Sequence, residues 1–249
     1  MVIDQFKLDG TVAIIAGCGK TWLEEIASAI AEVGADIIVA GPDLQRIERA
    51  AKAARHFSKE SLSVLTDLCN AQEVQTLVDR IYSQFGRIDV LVNNFNLEFA
   101  KPFLEIMEEE WSHVIDTNLT SVFHCCKAVG KYMVEQKAGR IVNIVSGLGE
   151  RGLPNGAVFC ASMGGVIQLT KVLALEWARK NIRVNTIAIG WMENGNEGTM
   201  EDPVVKYIPV QRRGSAEDVI PLVIFLTSEA SSYLSGNVYT VDGGLMARG

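Results

Sequence analysis

The sequence predicts an α/β fold, a doubly wound sheet of about seven parallel strands with helices on both faces. Three observations lead there. Apolar, β-rich runs alternate with stretches of helical period, the pattern of repeated βαβ units. One of those runs, Ile141-Val142-Asn143-Ile144-Val145, is nearly continuous in apolar residues, as strands buried on both faces are. The 249 residues, 48% of them hydrophobic, are enough for one domain with a substantial core.

In chain order, strands are expected at 12–16, 36–40, 62–66, 88–92, 140–145, 183–188 and 238–241. Helices are expected at 22–33, 44–57, 71–85, 108–136, 156–180 and 215–228. Asn70-Ala71-Gln72-Glu73 has the form of a capping box, which sets the start of the third helix. The irregular stretch from Trp191 to Pro209, rich in Gly, Asn and acid, is the longest loop candidate and has the character of a lid. No repeat, low-complexity tract or linker divides the chain, so residues 1–249 read as one domain.

Composition excludes several function classes. A net charge of −7 without a basic run gives no electrostatic footprint for nucleic acid or an anionic membrane. Met1 to Gly10 mixes charged and apolar residues, so no signal peptide is expected, and no uninterrupted apolar run has membrane-spanning length. The cysteines at 18, 69, 125, 126 and 160 are odd in number with no C-x-x-C spacing, which points to reduced thiols and a cytoplasmic setting. His56, His113 and His124 fall in or beside helices with no triad pattern, and no metal-ligand spacing occurs.

Six short segments carry chemistry. Ala16-Gly17-Cys18-Gly19-Lys20-Thr21-Trp22-Leu23 sits between the first strand and helix. There a Gly-rich turn would let a pyrophosphate rest on a helix N-terminus. Asp67-Leu68 follows the third strand, and Asn93-Asn94-Phe95-Asn96 closes the fourth. Asn118 lies in Thr117-Asn118-Leu119, and Ser146 stands thirteen residues before Phe159 in Phe159-Cys160-Ala161-Ser162-Met163. Val241-Asp242-Gly243-Gly244 lies near the C-terminus.

In order and spacing, over nearly the whole chain, these segments resemble the short-chain dehydrogenase/reductase family, whose fold is Rossmann-type. The resemblance implies an active-site serine at Ser146, an asparagine at Asn118, an adenine-contacting acid at Asp67 and a nucleotide-site asparagine at Asn93. It also implies departures. Phe159 stands at the family's proton-carrying tyrosine and Met163 at its lysine, so these two side chains run no general acid–base step. Of the three loop glycines only Gly17 remains, with Thr21 and Leu23 in the other two places. Glu24 and Glu25 put carboxylates in the first helical turn, where they repel a pyrophosphate. Phe95 is expected to take up nucleotide space, in a position the family fills with a small residue.

Taken together, these changes lead to the expectation of a catalytically empty chain. Ser146, Asn118, Asp67 and Asn93 would be vestigial, and this chain would bind no cofactor. It would serve as a non-catalytic subunit of a heteromeric, tetrameric dehydrogenase, with NAD(P) and catalysis in an intact paralogue and Arg248 of the tail near the partner's site. The overall pattern also resembles the inactive subunit of the heteromeric dehydrogenase that oxidises hydroxy(phenyl)methyl-succinyl-CoA, which would make the substrate a hydroxyacyl-CoA. Two alternatives stand beside this. One is an active but atypical NAD(P)-dependent oxidoreductase using Tyr207 or substrate-assisted proton transfer; the other is a homomeric ligand sensor or scaffold.

Overall fold

Seven strands pair in parallel in the order β3-β2-β1-β4-β5-β6-β7. They are β1 (Val12–Gly17), β2 (Asp36–Gly41), β3 (Ser61–Leu65), β4 (Val90–Asn94), β5 (Gly139–Ser146), β6 (Ile182–Ile189) and β7 (Val238–Val241). The helices are α1 (Leu23–Glu32), α2 (Leu44–Ala54), α3 (Ala71–Phe85), α4 (Glu108–Ile115), α5 (Ser121–Gln136), α6 (Ala157–Trp177) and α7 (Ala216–Thr227). This is the Rossmann-type arrangement expected. The computed structural model describes residues 1–18, 22–58, 60–193 and 203–247.

Alternation along the buried strands makes two apolar layers. Val12, Ile14 and Ala16 of β1 face a layer that also holds Leu77, Val129 and Val166, from α3, α5 and α6. Ala13 and Ile15 face the opposite layer with Ile26, Ile47 and Val223, from α1, α2 and α7. Inside the first layer runs a chain of polar groups. Asn93 Nδ2 donates to Asn143 Oδ1 at 2.8 Å, Asn143 Nδ2 to Thr170 Oγ1 at 2.8 Å, and Thr186 Oγ1 to Thr170 Oγ1 at 2.9 Å. This chain ties β4, β5, β6 and α6 to one another.

Helix ends follow their capping chemistry. Asn70 Oδ1 accepts from the amides of Gln72 and Glu73, and Gly86 ends α3 at a φ of +74°, in the left-handed region. Asp43 caps α2 by accepting from Arg46 N at 3.2 Å. The single helix expected over 108–136 is instead α4, a π-turn over Asp116–Thr120 and α5. The wider turn carries Asn118, 1% exposed, toward the interior. The fourth strand begins two residues later than expected, because Ile88 donates its amide to Gln136 Oε1 rather than to a neighbouring strand. With the turn that follows it, α6 (Ala157–Lys180) has the length and apolarity to cross a membrane, which the run-length reading did not anticipate. In this fold it packs against β5 and β6.

Candidate active site

Strand order reverses between β1 and β4, and a crevice opens there at the carboxyl ends of the strands. The two strands approach closely at Gly17, where a Cβ would lie 2.5 Å from Asn94 O. The crevice holds two cavities. One, of about 540 Å³, is lined by Cys18, Asp43, Arg46, Asp67 and Leu68 among others. The second, of about 360 Å³, has Trp22, Phe99, Phe159 and Trp191 as aromatic walls, with Ser146 and Arg213 among its polar groups. Asn96 and Glu98, on the loop leaving β4, line both cavities. Asn96 Oδ1 is buried there, and among the described residues none donates a hydrogen bond to it.

The residues singled out in sequence divide between this crevice and its supports. Ser146 ends β5 and faces the second cavity, and its Oγ accepts from Leu148 N at 3.3 Å. Phe159 lines the same cavity, while Met163 is fully buried with its Sδ 3.5 Å from Ser146 N. Asn118 has a supporting role. Its Oδ1 accepts from Leu97 N at 2.8 Å, and its Nδ2 donates to Leu97 O at 3.0 Å and Ser162 Oγ at 3.2 Å. It therefore fastens the loop bearing Asn96 and Glu98 to the helices behind it. Asn93 belongs to the buried polar chain. Asp67 lines the first cavity, with Oδ1 accepting from Cys69 N at 2.9 Å. Thr21 and Arg248 lie outside the described residues, as does 194–202 of the expected lid.

Three steric and electrostatic expectations need correction. Leu23 does not crowd the crevice: it is 6% exposed and packs with Ile26 and Ile47 in the layer under α1 and α2. Phe95 does not fill the nucleotide space. It is buried in the other layer and forms part of the wall of the first cavity, about 540 Å³ of which stays open beside it. Glu24 turns to Arg49, 3.1 Å away, so part of the first-turn charge is met within the protein. Identity alone suggested obstruction; burial leaves Leu23 outside the cavities and Phe95 as a wall of the first.

The crevice offers few proton carriers. Burial pushes the Cys18 thiol up to about 11, with nearby Cys69 adding to the rise, so Cys18 is protonated at neutral pH. Tyr207 lies outside both cavities, its ring 5.0 Å from the Lys206 ammonium. Among the described residues no group of three His, Cys, Asp or Glu is placed to hold a metal ion. Among the described residues, Glu98, Glu193 and Arg213 are the charged groups lining the second cavity. Position in the sequence was the available signal for Glu98, which lies on the loop leaving the strand at the reversal point. Arg213 carried no signal.

The family profile described as Enoyl-(Acyl carrier protein) reductase matches residues 24–246. The chain belongs to the short-chain dehydrogenase/reductase family. Across all of both chains it is 34% identical to the 2-dehydro-3-deoxy-D-gluconate 5-dehydrogenase of Escherichia coli (strain K12). It is 36% identical to the 3-oxoacyl-[acyl-carrier-protein] reductase of Synechocystis sp. (strain ATCC 27184 / PCC 6803 / Kazusa), covering 96% of this chain and 98% of that one. A gluconate 5-dehydrogenase from Burkholderia cenocepacia J2315, solved in complex with NADP and tartrate, superposes with a TM-score of 0.88 at 29% identity over all of both chains.

These findings overturn the expectation of a non-catalytic subunit that binds no cofactor of its own. The relatives are named as oxidoreductases, they match this short-chain dehydrogenase/reductase chain end to end, and one holds NADP. None of them is named as an inactive subunit of a heteromer. The physical reason the sequence misled is now visible. The departures at Leu23 and Phe95 are absorbed by the apolar layers, and the crevice survives. Its residues fit a nicotinamide dinucleotide. The first cavity has room and carboxylates for an adenosine half, and the buried Asn96 oxygen at the junction lacks a donor that a ribose hydroxyl would supply.

Proposed function

We propose that this chain is an atypical NAD(P)-dependent oxidoreductase that interconverts an alcohol and a carbonyl on a small polyhydroxylated acid. The observation that carries the reading is the continuous crevice, with the unpartnered Asn96 oxygen where its two cavities meet. When bound, the dinucleotide supplies a hydride acceptor for the alcohol or a hydride donor for the carbonyl.

The chain's own residues bind and orient. Asp67, Leu68 and Arg46 line the place for adenosine, and Asn96 accepts from a ribose hydroxyl. The Ser146 hydroxyl already accepts from Leu148 N, which leaves its proton to donate to a substrate oxygen. Trp22, Phe99 and Trp191 pack against the carbon skeleton and exclude water, and the Arg213 guanidinium at the rim pairs with a carboxylate. Support for a sugar acid comes from the gluconate-acting relatives and from the tartrate held by one of them. A cytoplasmic setting with reduced thiols belongs to the same reading.

The test is titration of the purified chain with NADH and NADPH, followed by fluorescence, then turnover with D-gluconate. Saturable binding below about 1 mM of one coenzyme is expected. No binding of either coenzyme at that concentration would overturn the proposal.

A further inference from the structure

Hydride transfer between alcohol and carbonyl also moves one proton, and Phe159 has none to exchange. Of the described residues lining the second cavity, three carry ionisable side chains: Glu98, Glu193 and Arg213. Arginine stays protonated and serves as a donor only. Cys, His, Lys and Tyr are absent from that lining. Among these residues the candidate carrier is a carboxylate, and position separates the two. Glu193 lines the second cavity alone, while Glu98 lines both, where a coenzyme in the first would meet a substrate in the second. Among the described residues the Glu98 carboxylate makes no hydrogen bond or ion pair, so no internal partner competes for its proton. Its backbone neighbour Leu97 is clamped by Asn118 at 2.8 and 3.0 Å, which fixes the carboxylate's point of attachment. Glu98 is also exposed, so it can return its proton to water between turnovers.

We propose that Glu98 is the group that exchanges the proton with the reacting substrate oxygen, a catalytic role that replaces the tyrosine missing at Phe159. The proposal rests on the oxidoreductase reading above. In oxidation, the alcohol O–H bond breaks and its proton passes to a Glu98 oxygen. The carbinol C–H bond breaks with its electron pair leaving as hydride to the oxidised nicotinamide dinucleotide, and the C=O bond forms. In reduction, protonated Glu98 returns the proton to the carbonyl oxygen as hydride arrives. One proton and one hydride move in each direction, so the step balances.

The experiment compares wild type with Glu98→Gln and Glu98→Asp. An exposed side chain without partners tolerates both changes, so folding is preserved. Wild type and variants are titrated with NADH and NADPH, assayed with D-gluconate, and studied calorimetrically as NADP⁺-loaded protein binding 5-keto-D-gluconate, a complex that cannot turn over. The expected result is a kcat for Glu98→Gln about 100-fold or more below wild type, with coenzyme Kd and substrate KM within about threefold. Glu98→Asp recovers part of the rate. In buffers of different ionisation heat, wild type takes up a proton on binding the keto acid and Glu98→Gln takes up none. If wild type turns over and Glu98→Gln keeps kcat within about threefold, or keeps the proton uptake, Glu98 is not the carrier while the oxidoreductase reading stands. If wild type binds neither coenzyme, the oxidoreductase reading itself falls.

Discussion

Replacing Asn118 with Ala tests how the crevice is held open. The side chain is 1% exposed and makes three hydrogen bonds, two to the backbone of Leu97 and one to Ser162 Oγ. Each is worth about 1 kcal/mol net, and leaving the Leu97 amide without an acceptor adds roughly 1 kcal/mol or more. The expected loss is about 3–5 kcal/mol. For a domain of this size each kcal/mol moves Tm by about 2–4 °C, so Tm should fall by roughly 6–20 °C. Below that Tm the loop carrying Asn96 and Glu98 loses its anchor, and coenzyme affinity should weaken by about tenfold or more, the equivalent of ~1.4 kcal/mol. Thermal unfolding followed by circular dichroism gives the first quantity and coenzyme fluorescence titration the second. A Tm drop under about 2 °C together with unchanged coenzyme Kd would refute the reasoning, because the loop would then be held by something other than Asn118.

Three further outcomes are expected. Gly17→Ala places a Cβ 2.5 Å from Asn94 O, forcing β1 from β4; a loss of about 1–3 kcal/mol in urea unfolding and weaker coenzyme binding should result. Met163→Lys alone puts an ammonium into a fully buried site whose neighbours include Phe159 and Val166, so it should destabilise by about 3 kcal/mol or more; paired with Phe159→Tyr it should also raise turnover, which a spectrophotometric assay reads. Asp218 is held far below its usual 3.8 by the Arg212 guanidinium at 2.6 and 2.7 Å and by Ser215 N, so its stabilisation is present above about pH 4 and lost as pH falls through its lowered pKa. Thermal scans between about pH 2 and 5 should show a shallower acid limb for Asp218→Asn than for wild type.

Much of the fold was legible because periodicity reports burial directly. The helix Ala71–Phe85 has the expected ends, since Asn70 and Gly86 are both cap residues with local geometry of their own. The strand Val238–Val241 was placed as found. The π-turn at Asp116–Thr120 was not legible, because it depends on Asn118 finding Leu97 and Ser162, which lie 21 and 44 residues away. The candidate site was legible in part. Ser146, Phe159 and Asp67 line the crevice as their positions suggested. Leu23 and Phe95 were read as obstacles because a motif gives a residue's identity and not the side of the sheet it faces. Glu98 and Arg213 belong to loops, where neither period nor capping signals a role.

The buried chain from Asn93 through Asn143 and Thr170 to Thr186 has a consequence of its own. Oily surfaces tolerate sliding, since one methyl contact replaces another at little cost, but a directed donor–acceptor pair has a single matching partner. The links between Asn143 on β5, Thr186 on β6 and Thr170 on α6 therefore act as an indexing pin, fixing the rotation of the helix that carries Phe159 and Met163 about its own axis. A variant in which Asn143, Thr170 and Thr186 all become apolar would stay folded on hydrophobic packing while its second cavity lost a defined wall. For this helix, the orientation of the crevice wall and the bulk of its burial rest on different atoms.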